Sequence, residues 1–277
     1  MANNIKQRVD DAIFLIKNER YEAALLLLLT AIDGSAAKIF PKGTASISTN
    51  KKNMDNSERY QRFLGVRLRQ IMNFAAQETD YYKKEMPTCL VGVENVEEHI
   101  YKAFRCNDVH ESMIPEELHY VYAASSTSTT LCIEISRGVI KFSEGFLSAL
   151  IDVIKMAPCN GKEFDIHHYR VRPLEGLNEQ EFCEFIVQKY KLSHMRTGII
   201  FSLLQCIGPC VSDMNDKELK SALDSVIENN QCYNDVYWLN RCEADKPLWE
   251  AKEGITEFGL VVILDIIKRV EIIDIAT

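Results

Sequence analysis

The sequence predicts a mainly α-helical protein of two regions, with one small β-hairpin. Apolar residues recur at three- and four-residue steps over most of the chain, the pattern of helices with one buried face. The period changes between residues 131 and 142, and a polar, glycine-containing stretch from residue 159 separates two helical parts. The predicted domains are therefore residues 1–158 and 159–277, each long enough to bury its own core.

The first domain opens with a long helical pattern. Its amphipathic stripe is made by Ile5, Val9, Ala12, Ile13 and Ile16. The stretch from Tyr21 to Phe40 continues as a nearly all-apolar helix, which Pro41 and Gly43 end. Residues 41–56 are rich in Ser, Thr, Asn and Lys without an apolar period, and they predict a mobile loop.

Two further helices are predicted in this domain. The second begins at Ser57, whose hydroxyl can cap it, and the third begins near Val96, reaches Arg105 and is limited by Pro115. The polar side of the second helix has two interpretations, a solvated face or an RNA contact. It carries Arg59, Arg62, Arg67 and Arg69.

A hairpin and a second helical region follow. Leu131–Ile135 and Val139–Phe142 flank a short Ser-Arg-Gly turn, which predicts two paired strands. Helices are then predicted at Phe146–Met156, Glu179–Tyr190, Met195–Cys206, Asp216–Glu228 and Thr256–Val270. The order Asp216–Glu228, Tyr233–Glu243, Leu248–Glu250 and Gly254–Gly259, leading into the last helix, resembles a winged helix.

Composition and charge narrow the function classes. The net charge is −8, which argues against broad coating of nucleic acid, and Met1 to Asp80 carries 12 Lys and Arg against 9 Asp and Glu. Val211 to Thr277 carries 7 Lys and Arg against 14 Asp and Glu, so we expect no DNA binding by the winged-helix-like region. Protein contact is the better expectation for that region. Any RNA contact is expected in the first half of the chain.

Several further features predict a cytoplasmic protein without a cofactor. The start has no targeting pattern, and the apolar run Ala23–Ile32 is too short for a bilayer, so we expect no membrane contact. Nine cysteines without a framework are expected to stay reduced. The spacing of Cys206, Cys210, Cys232 and Cys242 is not a compact zinc pattern, and no bound metal is expected.

One motif carries chemistry. The third helix contains Arg105-Cys106-Asn107-Asp108-Val109-His110, followed by Glu111. Together with Tyr21-Glu22-Ala23-Ala24-Leu25 and Thr30-Ala31-Ile32-Asp33, this segment resembles the HEPN family (higher eukaryotes and prokaryotes nucleotide-binding), whose signature is an Arg and a His separated by four to six residues. The resemblance covers about residues 1–158 and implies a HEPN-like helical bundle.

The resemblance implies a metal-independent endoribonuclease with Arg105 and His110 as its catalytic pair. Histidine serves as acid or base near neutral pH, and arginine offers a planar fork to phosphate oxygens. Asn107, Asp108 and Glu111 are the supporting residues within or beside the motif. Either Glu22 or Asp33 is a candidate to orient Arg105.

A homodimer is expected for a geometric reason. Residues five apart on an α-helix point about 140° away from each other, so Arg105 and His110 converge poorly within one protomer. Two motif helices meeting at a two-fold axis pool two such pairs, as HEPN proteins do. The resemblance further implies a toxin or phage-defence effector, with RNA as substrate and an antitoxin or defence-system protein as partner.

A second interpretation stays open. HEPN proteins with ribonuclease activity often place a polar residue directly after the arginine, and here that residue is Cys106, with Asn107 one step later. The alternative function is a non-catalytic HEPN scaffold that binds a nucleotide, RNA or a protein partner.

Overall fold

The computed structural model describes residues 4–71, 95–102, 120–122, 133–136, 139–142, 144–174, 176–229, 239, 246–250 and 252–277. The chain divides into two compact units, residues 1–166 together with Thr277, and residues 167–276. The sequence placed the boundary eight residues earlier, after residue 158. The intervening segment packs on the first unit, for reasons given below.

The first unit is a helical bundle built around one central helix. Its helices are α1 (Ile5–Lys17), α2 (Tyr21–Ile39), α3 (Asn56–Ile71), α4 (Val96–Ile100), α5 (Glu144–Lys155) and α6 (Gly161–Phe164). Helix α2 packs against α1, α3 and α5, and its buried residues extend around most of its circumference. Contact on several sides explains why α2 is almost entirely apolar.

The long helical pattern at the start of the chain is two helices. Glu19 adopts a left-handed conformation (φ 59°), and the N–H groups of Asn18 and Arg20 donate to the carbonyl of Leu15 at 3.1 and 2.9 Å. This turn lets α1 run back along α2, where the Arg8 guanidinium donates to the Thr30 hydroxyl at 2.7 Å. The prediction of one continuing helix missed this turn, since no glycine or proline marks it.

The segment before α3 is a closed loop. Ala45 pairs with Asn53 in an antiparallel bridge, and the N–H of Met54 donates to the carbonyl of Thr44 at 2.9 Å. The N-cap acceptor of α3 is Asp55, which accepts from the N–H of Glu58 at 2.8 Å, so Ser57 is not the cap that the sequence suggested.

The segment after α5 belongs to the first unit because a buried polar cluster holds it there. Asn160 is fully buried, and its side-chain amide donates to the Ser35 hydroxyl (2.8 Å) and to the carbonyl of Ile154 (2.9 Å). Lys38 on α2 donates to the Asn160 amide oxygen (3.0 Å) and to Glu163 (2.6 Å). These contacts tie residues 158–164 to the end of α2.

The predicted hairpin is confirmed and has a third strand. Strand β2 (Ile133–Ser136) pairs antiparallel with β3 (Val139–Phe142), with Ser136 opposite Val139. Strand β1 (Tyr120–Tyr122) pairs with β3 in parallel. The protein is thus mainly helical with a small sheet, as the sequence predicted.

The second unit is also mainly helical. It contains β4 (Tyr169–Pro173), α7 (Glu179–Tyr190), α8 (His194–Ile207), α9 (Asp216–Asn229), β5 (Trp249–Glu250), β6 (Gly254–Ile255), α10 (Glu257–Ile267) and β7 (Val270–Asp274). Side chains of Asn178, Ser193 and Thr256 accept N–H groups at the starts of α7, α8 and α10.

Strand β7 pairs antiparallel with β4. The sequence extended the last helix to Val270, where the structure instead begins β7. In the second unit α9 is followed by β5, β6 and α10, while the expected segment 233–243 lies outside the described residues except for Leu239, so the winged-helix-like order stays a prediction. Within the described residues, no helix is both long and apolar enough to cross a membrane.

Candidate functional site

The predicted catalytic pair lies outside the described residues, but the helix leading to it is described. Arg105, His110 and the supporting Asn107, Asp108 and Glu111 fall between residues 103 and 119. Helix α4 continues into a π-helical turn at Tyr101 and Lys102, shortly before Arg105. The position of α4 therefore determines where the motif segment starts.

The inner face of α4 is fixed to the bundle. Val96 and Ile100 are 1% and 2% exposed and belong to the core of the first unit. The Tyr101 ring lies 5.3 Å from the Tyr60 ring of α3, centroid to centroid. On the outer face, Glu98 and Lys102 form an ion pair in solvent. One side of α4 is thus held by α3, and the other faces solvent.

A glycine in the middle of α3 makes the close approach of α4 possible. A Cβ atom at Gly65 would lie 3.0 Å from Oε1 of Glu97 on α4 and 3.4 Å from Nη1 of Arg69 on α3. The Glu97 carboxylate and the Arg69 guanidinium therefore both lie against Gly65. Both residues are buried, so an acidic and a basic side chain are enclosed in the α3–α4 interface.

The sequence offered a solvated or RNA-contacting face for the four arginines of α3, and three of them are instead largely buried. Arg67 and Arg69 are 5% and 6% exposed, and the side chain of Arg62 is 8% exposed. Helix α3 contacts α2, α4 and α5, so little of its surface faces solvent. The expectation of a solvated arginine face is wrong for these three residues.

The buried arginines hold neighbouring elements in place. Arg67 donates to the carbonyl of Met156 at 2.5 Å, just beyond the end of α5, and also to the Gln70 side chain. A cation at the carboxyl end of a helix is favoured by the exposed carbonyls there. Arg67 therefore anchors the end of α5 to α3.

Arg62 and Glu58 link α3 to the preceding loop. Their side chains approach to 3.6 Å, and the Glu58 carboxylate accepts from the Ser46 hydroxyl (2.7 Å) and from the N–H of Ile47 (3.0 Å). Burial lowers the pKa of Arg62, while the nearby Glu58 opposes that change. The remaining arginine, Arg59, is half-buried and donates to the carbonyl of Phe40 at 3.3 Å.

The two acidic residues proposed to orient Arg105 occupy different parts of α2. Glu22 is exposed in its first turn, and Asp33 is half-buried between the buried Ile32 and Gly34. Eleven residues separate them, about 16 Å along a helix, so they cannot both contact one guanidinium. Asp33, on the buried side, is better placed for an internal contact than Glu22.

The residues that sequence reasoning missed are Gly65 and Glu97. The available signal was a glycine in the interior of an amphipathic helical pattern. Such a glycine costs about 1 kcal/mol relative to alanine and usually has a packing reason. Among the described residues, no group of three or more His, Cys, Asp or Glu is arranged to hold a metal ion.

A protein-family model described as Rv1289 matches residues 4–183, which include the whole helical bundle and the motif segment. No curated protein matches the chain, and no solved structure matches it.

Proposed function

The chain belongs to the Rv1289 family, and we propose, from the resemblance of residues 1–158 to the HEPN family, that it is a metal-independent endoribonuclease of HEPN type. Arg105 and His110 would carry the reaction at a site shared by two protomers. The observation that supports this most is the anchoring of α4: the segment leading to the motif is fixed on one face by Val96, Ile100 and the buried Glu97. Catalytic groups need such rigid support.

The proposed reaction uses only side chains and the RNA itself. One His110 takes the proton of the ribose 2′-hydroxyl, and the 2′-oxygen attacks the adjacent phosphorus. The bond to the 5′-oxygen breaks, and the His110 of the partner subunit protonates that oxygen. The Arg105 guanidinium stabilises the charge on the phosphate oxygens. The products are a 2′,3′-cyclic phosphate and a 5′-hydroxyl.

A second function, a non-catalytic HEPN scaffold, is favoured by a specific observation. Arg62, Arg67 and Arg69 are engaged inside the bundle, so they offer little positive surface to an RNA backbone. A scaffold needs no such surface if its partner is a protein. In either role we propose a toxin or phage-defence setting, with an antitoxin or defence-system protein as partner.

The test is RNA cleavage by the full chain in the presence of EDTA. His110→Ala should lower the rate by about 10²–10⁴-fold, the usual contribution of a general acid or base. Arg105→Ala should be comparably severe, and Arg105→Lys should recover only part of the rate because a point charge does not reproduce the bidentate fork.

The matched control is His99→Ala, since His99 is exposed on α4 in the same part of the fold. That variant should cut RNA at the wild-type rate. Wild-type protein that cuts no RNA would favour the scaffold. Cleavage that requires a metal and survives His110→Ala would refute the proposed site.

A further inference from the structure

A stripe of aromatic and cationic side chains lies in the second unit on α7, on α10 and the turn that follows it, and on the segment before β5. Its members, called here the ring–cation stripe, are Phe185, Lys189, Tyr190, Lys246, Phe258 and Arg269. The Lys189 ammonium lies 5.5 Å from the centroid of the Phe185 ring and 5.2 Å from that of Tyr190. Arg269 lies 5.3 Å from the Phe185 ring, and Lys246 lies 5.9 Å from the Phe258 ring.

The stripe is continuous because the two helices run antiparallel. Phe185 faces Arg269, and one turn further along α7 Lys189 bonds Asp265 at 2.7 Å. The next ring, Tyr190, meets the edge of Phe258 at 6.4 Å. Phe258 and Arg269 are eleven residues apart, so the stripe is about 16 Å long at 1.5 Å per helical residue.

The stripe is accessible to a ligand. Phe185 is 37% exposed, and Lys189 and Lys246 are exposed. Val261 and Lys268 share the same face of α10, at positions i+3 and i+10 from Phe258, and Val261 is 58% exposed. The solvent-exposed part of this face comprises Phe185, Lys189, Lys246, Val261 and Lys268, whereas Tyr190, Phe258 and Arg269 are half-buried and the Tyr190 and Phe258 rings pack against the core of the unit.

The charge of the stripe is opposite to that of the unit around it. Residues 167–276 carry 12 Lys and Arg against 18 Asp and Glu. Among the described residues, the carboxylate that contacts cations of the stripe is Asp265, which bonds Lys189 and lies 3.4 Å from Arg269. An anionic ligand approaching this unit would be attracted to the stripe and repelled elsewhere.

We propose that the ring–cation stripe binds single-stranded RNA. Single-stranded nucleic acid combines negative phosphates with flat bases, and its binding surfaces combine cations with aromatic rings. Cation–π contacts hold each positive group in place before the ligand arrives, which reduces the entropy lost on binding. An acidic protein helix would satisfy the charges and Val261, but it gives no role to the repeated pairing of a ring with each cation.

This inference deepens the proposed function and rests on it for its meaning: the second unit would hold the RNA that the first unit cuts. The proposed site differs from the expectation of RNA contact only in the first half, which rested on the acidic overall charge of residues 211–277. Local placement by α7 and α10 gathers cations that are scattered along the sequence.

The test is binding of a fluorescently labelled 12-nucleotide single-stranded RNA to the full chain carrying His110→Ala, measured by anisotropy over a range of salt. The paired change of Lys246→Glu in the stripe and Lys268→Glu, exposed beside it on the same face, should weaken binding at least about tenfold. It should also reduce the salt slope by roughly 1.4, about 0.7 for each phosphate that is no longer neutralised. Phe185→Leu, which keeps bulk but removes the ring, should weaken binding by several fold.

The matched control is Lys217→Glu with Lys220→Glu on α9, which makes the same change in net charge outside the stripe. Its RNA affinity should remain near that of the parent. Equal losses in both pairs, or no RNA binding by the parent protein, would overturn the proposal. Loss of binding to an acidic amphipathic peptide with unchanged RNA binding would also overturn it, in favour of a protein partner.

The binding assay and the cleavage assay test the two proposals independently. If His110 is not catalytic, the binding measurement keeps its meaning and can be made on the wild-type chain. If the stripe is not the RNA site, the stripe variants bind RNA as the control pair does, whatever the outcome of the cleavage assay. Circular dichroism and melting curves for each variant confirm that folding is unchanged.

Discussion

Replacing Gly65 by alanine tests whether close packing of α4 on α3 positions the motif segment. Two opposing effects act at this residue. Alanine in a helix interior is favoured over glycine by about 1 kcal/mol. The new methyl group would stand 3.0 Å from Glu97 Oε1 and 3.1 Å from its Cδ, closer than such atoms normally approach.

The packing conflict should outweigh the gain in helix propensity. Glu97 is 8% exposed, so its carboxylate has little room to move away from the new methyl group without displacing its buried neighbours. Overpacking in a core costs about 1–3 kcal/mol. We therefore expect Gly65→Ala to destabilise α4 by about 0–2 kcal/mol, and to slow RNA cleavage if the motif is the catalytic site.

In a Glu97→Asp background we expect the stability change caused by Gly65→Ala to have the opposite sign. Glu97→Asp keeps the charge but is one methylene shorter, so it withdraws the carboxylate from Gly65. In that background Gly65→Ala should stabilise α3 and α4 by up to about 1 kcal/mol, because only the propensity gain remains. The interaction energy between the two substitutions is then about 1–3 kcal/mol.

Hydrogen exchange of peptides covering α3 and α4, measured in the full chain, reports the free energy of local opening. Peptides from α7 and α8 provide the internal control, because they belong to the other unit. Two results together would support the reasoning. Exchange in α4 should be faster in Gly65→Ala than in the wild type, and slower in the double variant than in Glu97→Asp alone. The same sign in both backgrounds would refute it.

Further predictions concern stability, pH, assembly and DNA. Asn160→Ala should lower the stability of the first unit by roughly 2–4 kcal/mol, since it leaves buried polar partners of a fully buried amide unsatisfied; urea denaturation that shows no change would contradict this. Hydrogen bonds from His167 and from backbone N–H groups lower the pKa of Asp274 to about 2, so its contribution to stability is present above about pH 4 and is lost as the pH falls toward 2. Asp274→Asn should accordingly lower Tm at pH 6, with the difference from wild type vanishing near pH 2. Light scattering at micromolar concentration should give about twice the chain mass of 31.7 kDa, and a monomer throughout would exclude the shared site. The full chain should show no salt-sensitive, sub-micromolar affinity for duplex DNA, which filter binding can check.

The local elements follow from short-range patterns, which the sequence contains in full. Helix α7 has the bounds Glu179–Tyr190 that its apolar period predicts, and the β2–β3 hairpin lies where the period changes. These elements depend on residues within one or two turns of each other. A single sequence is enough for such decisions because the interactions are close along the chain.

The tertiary structure decided which polar residues are inside. Four arginines on a helix indicate a solvated face when the helix is considered alone. Packing of α3 against α2, α4 and α5 instead buries Arg67 and Arg69. Arg67 donates to the carbonyl of Met156, and Arg69 lies near Gly65 as Glu97 does, so residues far along the sequence surround both arginines. No local pattern contains the identity of these partners.

The same distinction applies to the two proposed sites. The order of helices and the residue types of the candidate site, Arg105 and His110, were available from the sequence by itself. The ring–cation stripe was not, since its members lie at residues 185–190, 246–258 and 269 and meet only when α7 and α10 pack antiparallel. Helix propensity and apolar period act over a few residues, whereas burial and charge clustering depend on which helices pack together, and that is decided by the shape of the whole core.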